Sequence, residues 1–232
     1  MDLELFTSSL RELGISVDTS ILYKLDKYYN LLIDWNKKMN LTSIVDKDMV
    51  YLKHFYDSIT ITKVIDLNDV DTVCDVGTGA GFPGIILKIF FPHIKLTLVD
   101  SLGKRILFLN EVIRVLDLKD VKVLHVRAEE YSRNVREKYD LVTARAVSSF
   151  NILLELCIPM IKKNKFFVAM RGFDDLDSGI NALDKLNCTL IKKECFYLPI
   201  ENSSRTLALV LKNDYTDLKY PRKYSEIKKK PL

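Results

Sequence analysis

Four glycines lie close together in a short stretch that has the chemistry of a ligand-binding turn. The stretch, VCDVGTGAGFPG, opens with an apolar run that closes at Asp75, and it holds half of the chain's eight glycines. Such glycines adopt positive φ angles and let a ligand lie against bare backbone. Because a second apolar run follows Gly84, the pattern predicts a strand, a tight turn and a helix. Free N–H groups at the start of that helix would face an electron-rich ligand.

Three kinds of nucleotide site use glycine turns of this type. A phosphate-binding P-loop ends in Gly-Lys-Ser/Thr, and here Gly84 is followed by two isoleucines, which excludes it. The dinucleotide fingerprint G-x-G-x-x-G is present, and Asp100 follows Gly81 by 19 residues. The third kind is an S-adenosylmethionine (SAM) site, in which Asp75, the glycines and Asp100 surround a nucleoside that bears an amino acid. We favour the third kind because of Asp75 and the features described below.

Further polar residues follow the other predicted strands at the edge where a doubly wound sheet binds its ligand. Asp100 follows the second strand and can accept both ribose hydroxyls. Ala128 and Glu129 follow the third strand and can meet an adenine edge, although an acid such as Glu129 also suits a helix N-terminus electrostatically. Arg145 and Arg171 follow the fourth and fifth strands. Each could hold a base or a phosphate, or form a structural ion pair.

The elements that must position these residues alternate regularly between strands and helices. Strands separated by crossover helices predict an α/β fold with a mostly parallel sheet of seven strands. The last two strands have no helix between them, which predicts one antiparallel strand at the sheet edge. The predicted strands span residues 73–76, 95–100, 121–126, 139–143, 165–170, 189–196 and 205–211.

Helical patterns precede the first strand and suggest a division of the chain into three parts. Residues 1–66 form an N-terminal helical extension, 67–212 a ligand-binding core and 213–232 a basic tail, together one structural domain. The extension contains a helix over 3–13, a longer one capped by Asp18, and a third running from 49 to 64. It would cover the ligand or shape a substrate cleft. His54 and Asp57 could form an acid/base pair, but a surface hydrogen bond or a cap contact is the simpler expectation.

Composition excludes several classes of protein. With 232 residues and 48% apolar content, the chain can bury the core of one α/β domain. No apolar run approaches the roughly 20 residues that span a bilayer, and the acidic start MDLELF is unlike a signal peptide. We therefore expect a cytoplasmic protein without membrane contact. The absence of C-x-x-C and H-E-x-x-H patterns predicts no metal site.

The net charge of +4 is confined to the end of the chain. Residues 212–232 hold seven Lys or Arg against three acids, a surplus of four, whereas residues 1–211 are neutral. Tyr220 and Tyr224 alternate with basic side chains there, which suits phosphate contacts and base stacking in RNA. A solvated terminus that only aids solubility explains the charge equally well.

The order of these motifs closely resembles the bacterial RsmG (GidB) family, SAM-dependent methyltransferases that modify N7 of a guanine in 16S ribosomal RNA. The resemblance implies a Rossmann-like class I methyltransferase fold and 16S RNA, or the small ribosomal subunit, as partner. It implies SAM contacts at Gly77, Phe82, Ala128, Glu129 and Arg145. The chain departs from the family after PRK, where YSEIKKKPL replaces a segment that often contains Gly, Thr, Pro and Asn. The matching segments are WNKKMNLTSI (35–44), KHFYDSI (53–59), DVGTGAGFPG (75–84), LVDSLGKRILFL (98–109), RAEE (127–130), TARAVSS (143–149) and PRK (221–223).

The residue types in the sequence agree with methyl transfer to guanine N7. Guanine N7 has a lone pair and no proton to lose, so alignment and electrostatics suffice and no general base is expected. Arg145 then has a positioning role. The sequence lacks the Asn/Asp-Pro-Pro-Tyr and Pro-Cys motifs of methyltransferases that act on exocyclic amines or pyrimidine C5. The predicted cofactor-binding set is Asp75, Gly77, Gly79, Gly81, Phe82, Asp100, Ala128, Glu129 and Arg145, and the predicted RNA-binding set is Arg171, Arg222 and Lys223.

Two other classes of function use some of the same features. An NAD-dependent oxidoreductase would use the glycines, but it should also have a hydride-transfer residue and a second substrate domain, and neither is visible. A non-catalytic RNA-binding module would use the tail and the aromatic helices, and it would bind RNA but not SAM. We expect a monomer. The sequence leaves open whether naked RNA or an assembled subunit is the substrate.

Overall fold

A single sheet of seven strands organises the computed structural model, which describes residues 1–145 and 148–232. Ala146 and Val147, inside the TARAVSS segment, lie outside the described residues. The strands are β1 (Thr72–Val76), β2 (Lys95–Asp100), β3 (Val121–His125), β4 (Tyr139–Arg145), β5 (Ile161–Arg171), β6 (Cys188–Tyr197) and β7 (Ser204–Lys212). Their order across the sheet is β3-β2-β1-β4-β5-β7-β6.

The sheet is mostly parallel, as predicted. Strands β1 to β5 pair in parallel, and β7 runs antiparallel to both β5 and β6. The prediction that the antiparallel strand lies at the edge is wrong, because β7 lies inside and β6 forms the edge. Burial explains the difference. Strand β7 has five consecutive buried residues, whereas β6 is mostly exposed or half-buried, so the more apolar strand takes the covered position.

Helices cover both faces of the sheet. Short 3₁₀ segments connect some of them, at Thr60–Lys63, Ile158–Met160 and Leu176–Gly179. The helices are α1 (Leu3–Glu12), α2 (Thr19–Met39), α3 (Lys47–Val50), α4 (Asp57–Ile59), α5 (Gly84–Phe90), α6 (Gly103–Val115), α7 (Ala128–Asn134), α8 (Phe150–Cys157), α9 (Ile180–Lys185) and α10 (Tyr224–Lys229). Among the described residues, none of the helices combines the length and the apolar character needed to cross a membrane.

Local signals fix the long helix of the N-terminal extension. Asp18 caps α2, its side chain accepting from the backbone N–H of Ile21 at 2.8 Å. The helix ends where Asn40 adopts a left-handed conformation, with φ 49°. Its buried side chains, which include Tyr28 and Leu32, join the same hydrophobic core as the sheet. The extension therefore packs as part of the core.

The predicted third helix is interrupted by a π-helical turn at Tyr51–Tyr56. A wider turn changes which side chains face inward, and such turns are frequent at functional sites. Here every residue of the turn except Lys53 is buried. His54 and Phe55 consequently both face the glycine turn.

The C-terminal segment is packed against the sheet and α8. Tyr220 and Ile227 are buried, and the Arg136 guanidinium donates to the carbonyl oxygens of Tyr220 at 2.7 Å and Thr216 at 2.5 Å. This packing excludes a purely solvated terminus. Whether the segment contacts RNA stays a prediction.

Candidate functional site

The turn between β1 and α5, which we call the glycine loop (residues 77–84), depends on glycine at three positions. Gly77, Gly79 and Gly81 have φ angles of 69°, 63° and 98°, a region that disfavours other residues. The backbone N–H of Gly77 donates to the carbonyl oxygen of Val99 on β2 at 2.8 Å. The loop is thereby attached to the neighbouring strand as it turns back into α5.

Asp75 lies beneath the glycine loop rather than in a binding cavity. It is fully buried, and its Oδ2 accepts from the Thr78 hydroxyl at 2.6 Å and from the Gly84 N–H at 2.9 Å. Burial raises its pKa to about 6, although both of these hydrogen bonds act in the opposite direction. We expected Asp75 to contact the cofactor. Because its carboxylate joins the two ends of the loop, we assign it instead to shaping the loop.

Gly81 also serves packing. A Cβ placed there would lie 2.5 Å from the Tyr28 hydroxyl oxygen and 2.7 Å from Cγ1 of Ile85. The Tyr28 hydroxyl donates to the Ala80 carbonyl oxygen, so α2 of the extension holds the loop directly. At Gly79, by contrast, a Cβ would have only the Gly77 carbonyl oxygen near it, at 4.0 Å. The side of the loop at Gly79 is therefore open, and Gly81 faces the core instead of the expected ligand.

Seven of the nine residues predicted to bind the cofactor meet around one cavity of about 470 Å³. The cavity lies beyond the carboxyl ends of the central strands, where open α/β sheets bind ligands. Thr42 and His54 of the extension and Tyr224 of α10 also line it, so all three parts of the chain contribute. The seven predicted residues are Gly77, Gly79, Phe82, Asp100, Ala128, Glu129 and Arg145.

Asp100 joins the glycine loop to the start of α6. Its Oδ2 accepts from the Gly79 N–H at 2.9 Å and from Arg105 at 3.0 Å, and its Oδ1 accepts from the Leu102 N–H at 2.9 Å. A carboxylate offers about four acceptor positions. One position therefore remains for a hydroxyl group in the cavity.

Glu129 lies in the first turn of α7 and is buried at the far side of the cavity. Its nearest cation is Arg127, whose Nη1 lies 3.9 Å from Oε1. Val126, Leu156 and Tyr224 belong to one hydrophobic cluster and form an apolar wall of the same cavity. A carboxylate next to an apolar wall suits a flat ring with polar edges, such as adenine.

Arg145 ends β4 and is fixed by the extension. Its Nη1 donates to the Lys53 carbonyl oxygen at 3.0 Å and lies 3.3 Å from Oδ2 of Asp57. Its Nη2 lies 3.3 Å from Nδ1 of His54, and the guanidinium carbon is 5.3 Å from the Phe82 ring centroid. His54 and Asp57 are thus connected through Arg145, and the acid/base pair considered from the sequence does not form.

His54 is a neutral imidazole in this arrangement. Burial, reinforced by the positive charge of Arg145, lowers the pKa of His54 to about 3. Its Nδ1 lies 3.2 Å from the Lys53 carbonyl oxygen and 3.3 Å from Nη2 of Arg145, and its Nε2 lies 3.0 Å from the Thr42 hydroxyl oxygen. A neutral ring here adds no positive charge to the cavity.

Two of the predicted RNA-binding residues are engaged in ion pairs. The buried Arg171 donates through Nε and Nη2 to Asp175 at 3.0 and 2.6 Å. Arg222 donates to both oxygens of the fully buried Glu155 at 2.8 and 2.7 Å. We expected both guanidiniums to be free for phosphate. Because a guanidinium pairs best with a carboxylate through two parallel bonds, the structure assigns them to holding the protein together, and Lys223 is the exposed member of the set.

Thr42, His54 and Tyr224 line the cavity but are not among the site residues predicted from the sequence. Thr42 and His54 lie in the segments WNKKMNLTSI and KHFYDSI, whose resemblance to the family was noted but not converted into site residues. Tyr224 reaches the cavity from α10, and no sequence signal distinguishes it from other tail tyrosines. Among the described residues, no cluster of three or more His, Cys, Asp or Glu side chains is placed to hold a metal ion.

Comparison with known proteins identifies full-length relatives. A family model described as rRNA small subunit methyltransferase G (GidB) matches residues 21–207. The chain is 47% identical over 237 residues to the ribosomal RNA small subunit methyltransferase G of Bacillus subtilis strain 168, covering 100% of this chain and 99% of that one. The protein with the same name in Geobacillus sp. strain WCH70 is 46% identical, with 100% of both chains covered.

Solved structures show the same fold at low identity. A SAM-dependent methyltransferase from Aquifex aeolicus has a TM-score of 0.56 and 17% identity, covering 72% of this chain and 94% of that one. Precorrin-6y C5,15-methyltransferase from Geobacter metallireducens GS-15 has a TM-score of 0.53 and 13% identity, covering 68% and 88%. These structures confirm the predicted Rossmann-like class I methyltransferase fold.

Proposed function

This chain belongs to the ribosomal RNA small subunit methyltransferase G family, and we propose that it transfers the methyl group of SAM to N7 of a guanine in 16S ribosomal RNA. The observation that carries the proposal is the convergence of seven predicted residues around the cavity above the glycine loop. The family provides the reaction, and the cavity provides a place for the methyl donor.

The residues present fit SAM. The cavity of about 470 Å³ combines an apolar wall with two carboxylates, Asp100 and Glu129, and a Cβ at Gly79 would enter otherwise open space. We propose that Gly77 and Gly79 receive the amino-acid end. The free acceptor position of Asp100 would hold the ribose, and Ala128 with Glu129 would hold the adenine.

SAM, when bound, would supply a methyl group on a positively charged sulfur. Because guanine N7 has a lone pair and no proton to lose, transfer to it would need no general base. The protein's task is therefore alignment and electrostatics. Arg145 suits this task because contacts with Lys53, Asp57 and His54 fix its guanidinium. A His54 pKa of about 3 makes that imidazole a poor base at neutral pH, in keeping with a reaction that needs none.

The partner and the location follow from the substrate. We propose that the enzyme works in the cytoplasm on 16S RNA, as naked RNA or within the small subunit. We propose a monomer as the working unit, because residues of one chain from the extension, the core and the tail complete the cavity. Lys223 is the tail residue that we propose for RNA contact, since it is exposed.

Transfer of labelled methyl groups tests the function. Small subunits, and 16S RNA extracted from them, are taken from a strain that lacks this protein and are incubated with the enzyme and methyl-labelled SAM. We expect label in the RNA of one or both samples, released as 7-methylguanosine on digestion to nucleosides. Binding of SAM without any label in RNA would contradict the proposed substrate and leave the cofactor assignment standing.

A further inference from the structure

A second cavity of about 270 Å³ opens beside the first and shares His54 and Arg145 with it. We call it the lateral cleft, and define it by Lys53, Asp57, Arg145, Gly172 and Arg205. It lies at the carboxyl ends of β4 and β5. Because His54 and Arg145 line both spaces, a molecule in the cleft would lie next to the cavity proposed to hold SAM.

The walls of the lateral cleft carry a net positive charge. Asp57 is 5% exposed at its side chain and pairs with both Arg145, at 3.3 Å, and Arg205, at 2.9 Å. A carboxylate that holds two guanidiniums leaves a net positive charge and fixes both groups in place. The walls thus suit an anionic ligand. Such a ligand would lie beside the cavity above the glycine loop, which we propose for the methyl donor.

Lys53 is the cation of the cleft that is most easily released. Its Nζ lies 2.7 Å from the Glu201 carboxylate, and the two side chains are 27% and 30% exposed. Partly exposed ion pairs contribute little stability. Lys53 can therefore leave Glu201 and bind a phosphate at little cost in free energy. Arg171, by contrast, is 4% exposed and bound by Asp175.

An exposed aromatic residue lies next in the chain to two residues that line the cleft, Arg171 and Gly172. Phe173 directly follows Gly172, is 62% exposed, and lies with its ring centroid 5.2 Å from the Arg171 guanidinium carbon. Because Asp175 anchors Arg171, the guanidinium supports the ring from a fixed position. Exposed aromatic rings beside cations are typical platforms on which unpaired RNA bases stack.

We infer that the lateral cleft receives the target guanine nucleotide, unpaired from the RNA, with Phe173 stacking on an RNA base at the rim and Lys53 binding a backbone phosphate. The inference rests on the proposed function and adds the residues that bind the RNA. Extrusion of a base from its stack is the usual way for an enzyme to reach an atom of that base. Phe173 and Lys53 are positioning residues, not catalytic ones.

Paired variants at the two ends of β5 test the stacking role. Phe173→Ala removes the ring at the cleft, and Tyr215→Ala removes an equally exposed ring, also beside a cation (Lys163), near the amino end of the same strand. Filter binding to 16S RNA, the KM for unmodified small subunits and calorimetric SAM affinity are measured for each. We expect Phe173→Ala to weaken RNA binding about tenfold and to raise KM, with SAM affinity and melting temperature unchanged. Tyr215→Ala should match wild type.

The salt dependence of RNA binding tests the phosphate role. Lys53→Met should reduce the slope of log affinity against log salt by about 0.7, as expected for one lost contact to single-stranded RNA. Lys163→Met, which removes a lysine paired with Asp214 at 2.9 Å, should leave the slope unchanged.

The outcomes separate the inference from the function. If wild type forms 7-methylguanosine while Phe173→Ala and Lys53→Met behave like their controls, the cleft assignment is overturned and the function stands. If wild type forms no 7-methylguanosine in either RNA sample, the proposed function fails and the assignment of the cleft to the target guanine fails with it.

Discussion

The imidazole of His54 stacks on the ring of Phe82, with the ring centroids 4.5 Å apart and the planes 13° from parallel. His54 belongs to the π-helical turn of the extension and Phe82 to the glycine loop. Tyr28 of α2 also stacks on Phe82, at 5.4 Å. The extension is therefore part of the wall of the cavity that we propose for SAM, and it packs directly on the glycine loop.

His54 should make the protein sensitive to acid. Its pKa falls from 6.5 to about 3 on folding, so the unfolded chain binds a proton below pH 6.5 that the folded protein takes up only near pH 3. Above pH 6.5 the imidazole is neutral in both states and has no effect on stability. As the pH falls below 6.5, the free energy of unfolding decreases by about 1.4 kcal/mol per pH unit. In His54→Asn, the free energy of unfolding measured in urea should fall less steeply between pH 6 and 4 than it does in wild type. An unchanged slope would contradict the neutral buried imidazole.

Asp75 should make the protein less sensitive to acid, the opposite of the effect of His54. Burial raises its pKa from 3.8 to about 6, so the folded protein binds this proton before the unfolded chain does. Between pH 6 and 4, protonation of Asp75 therefore favours the folded state and offsets most of the loss at His54. Asp75→Asn removes that compensation, and its stability should fall more steeply with acid than that of wild type. The same urea series measures it, and a shallower slope would be inconsistent with the raised pKa.

Gly81 should tolerate no side chain. Gly81→Ala places a Cβ 2.5 Å from the Tyr28 hydroxyl oxygen at a φ of 98°, and the backbone conformation alone costs about 1–2 kcal/mol. Gly172→Ala is the control, because nothing lies within 4 Å of its Cβ position. We expect a loss of more than 2 kcal/mol in unfolding free energy for the first and less than about 0.5 kcal/mol for the second. Equal effects would show that Tyr28 does not pack against the loop as described.

The ion pair of Arg222 should attach the tail to α8. Arg222→Ala leaves the fully buried Glu155 without a cation, and breaking a buried pair in this way costs about 3–5 kcal/mol. Arg114→Ala removes a similarly bonded arginine whose side chain is 72% exposed, and should cost less than about 1 kcal/mol. Chemical unfolding of both variants checks the difference. Comparable losses would mean that the tail is not held through Glu155.

The parts of the fold that local patterns specify could be predicted from the sequence. The seven strands, the glycine loop and Asp100 each have a signature within a few residues, and their order along the chain implied the parallel sheet. The position of β7 could not be predicted from the absence of a helix before it, because a hairpin allows either of its strands to be the outer one. Relative burial along β6 and β7 decided it.

The roles of individual charged residues depended on contacts between distant segments. Asp75 and Gly84 are nine positions apart, but Arg222 and Glu155 are 67 apart and Arg145 and Lys53 are 92 apart. Spacing along the chain does not reveal whether a guanidinium at a strand end faces a ligand or a carboxylate. For the same reason, His54 was recognised as part of a family segment but not as a wall of the cavity.

Calorimetric titration of SAM into three proteins tests the central claim, that the cavity above the glycine loop holds the methyl donor. Wild type is compared with Glu129→Gln, in the cavity, and Glu130→Gln, the exposed neighbouring acid. We predict one SAM per chain, an affinity at least about tenfold weaker for Glu129→Gln, as for loss of a hydrogen bond to a charged group, and unchanged affinity for Glu130→Gln. No binding by wild type, or equal affinity in all three proteins, would contradict the assignment.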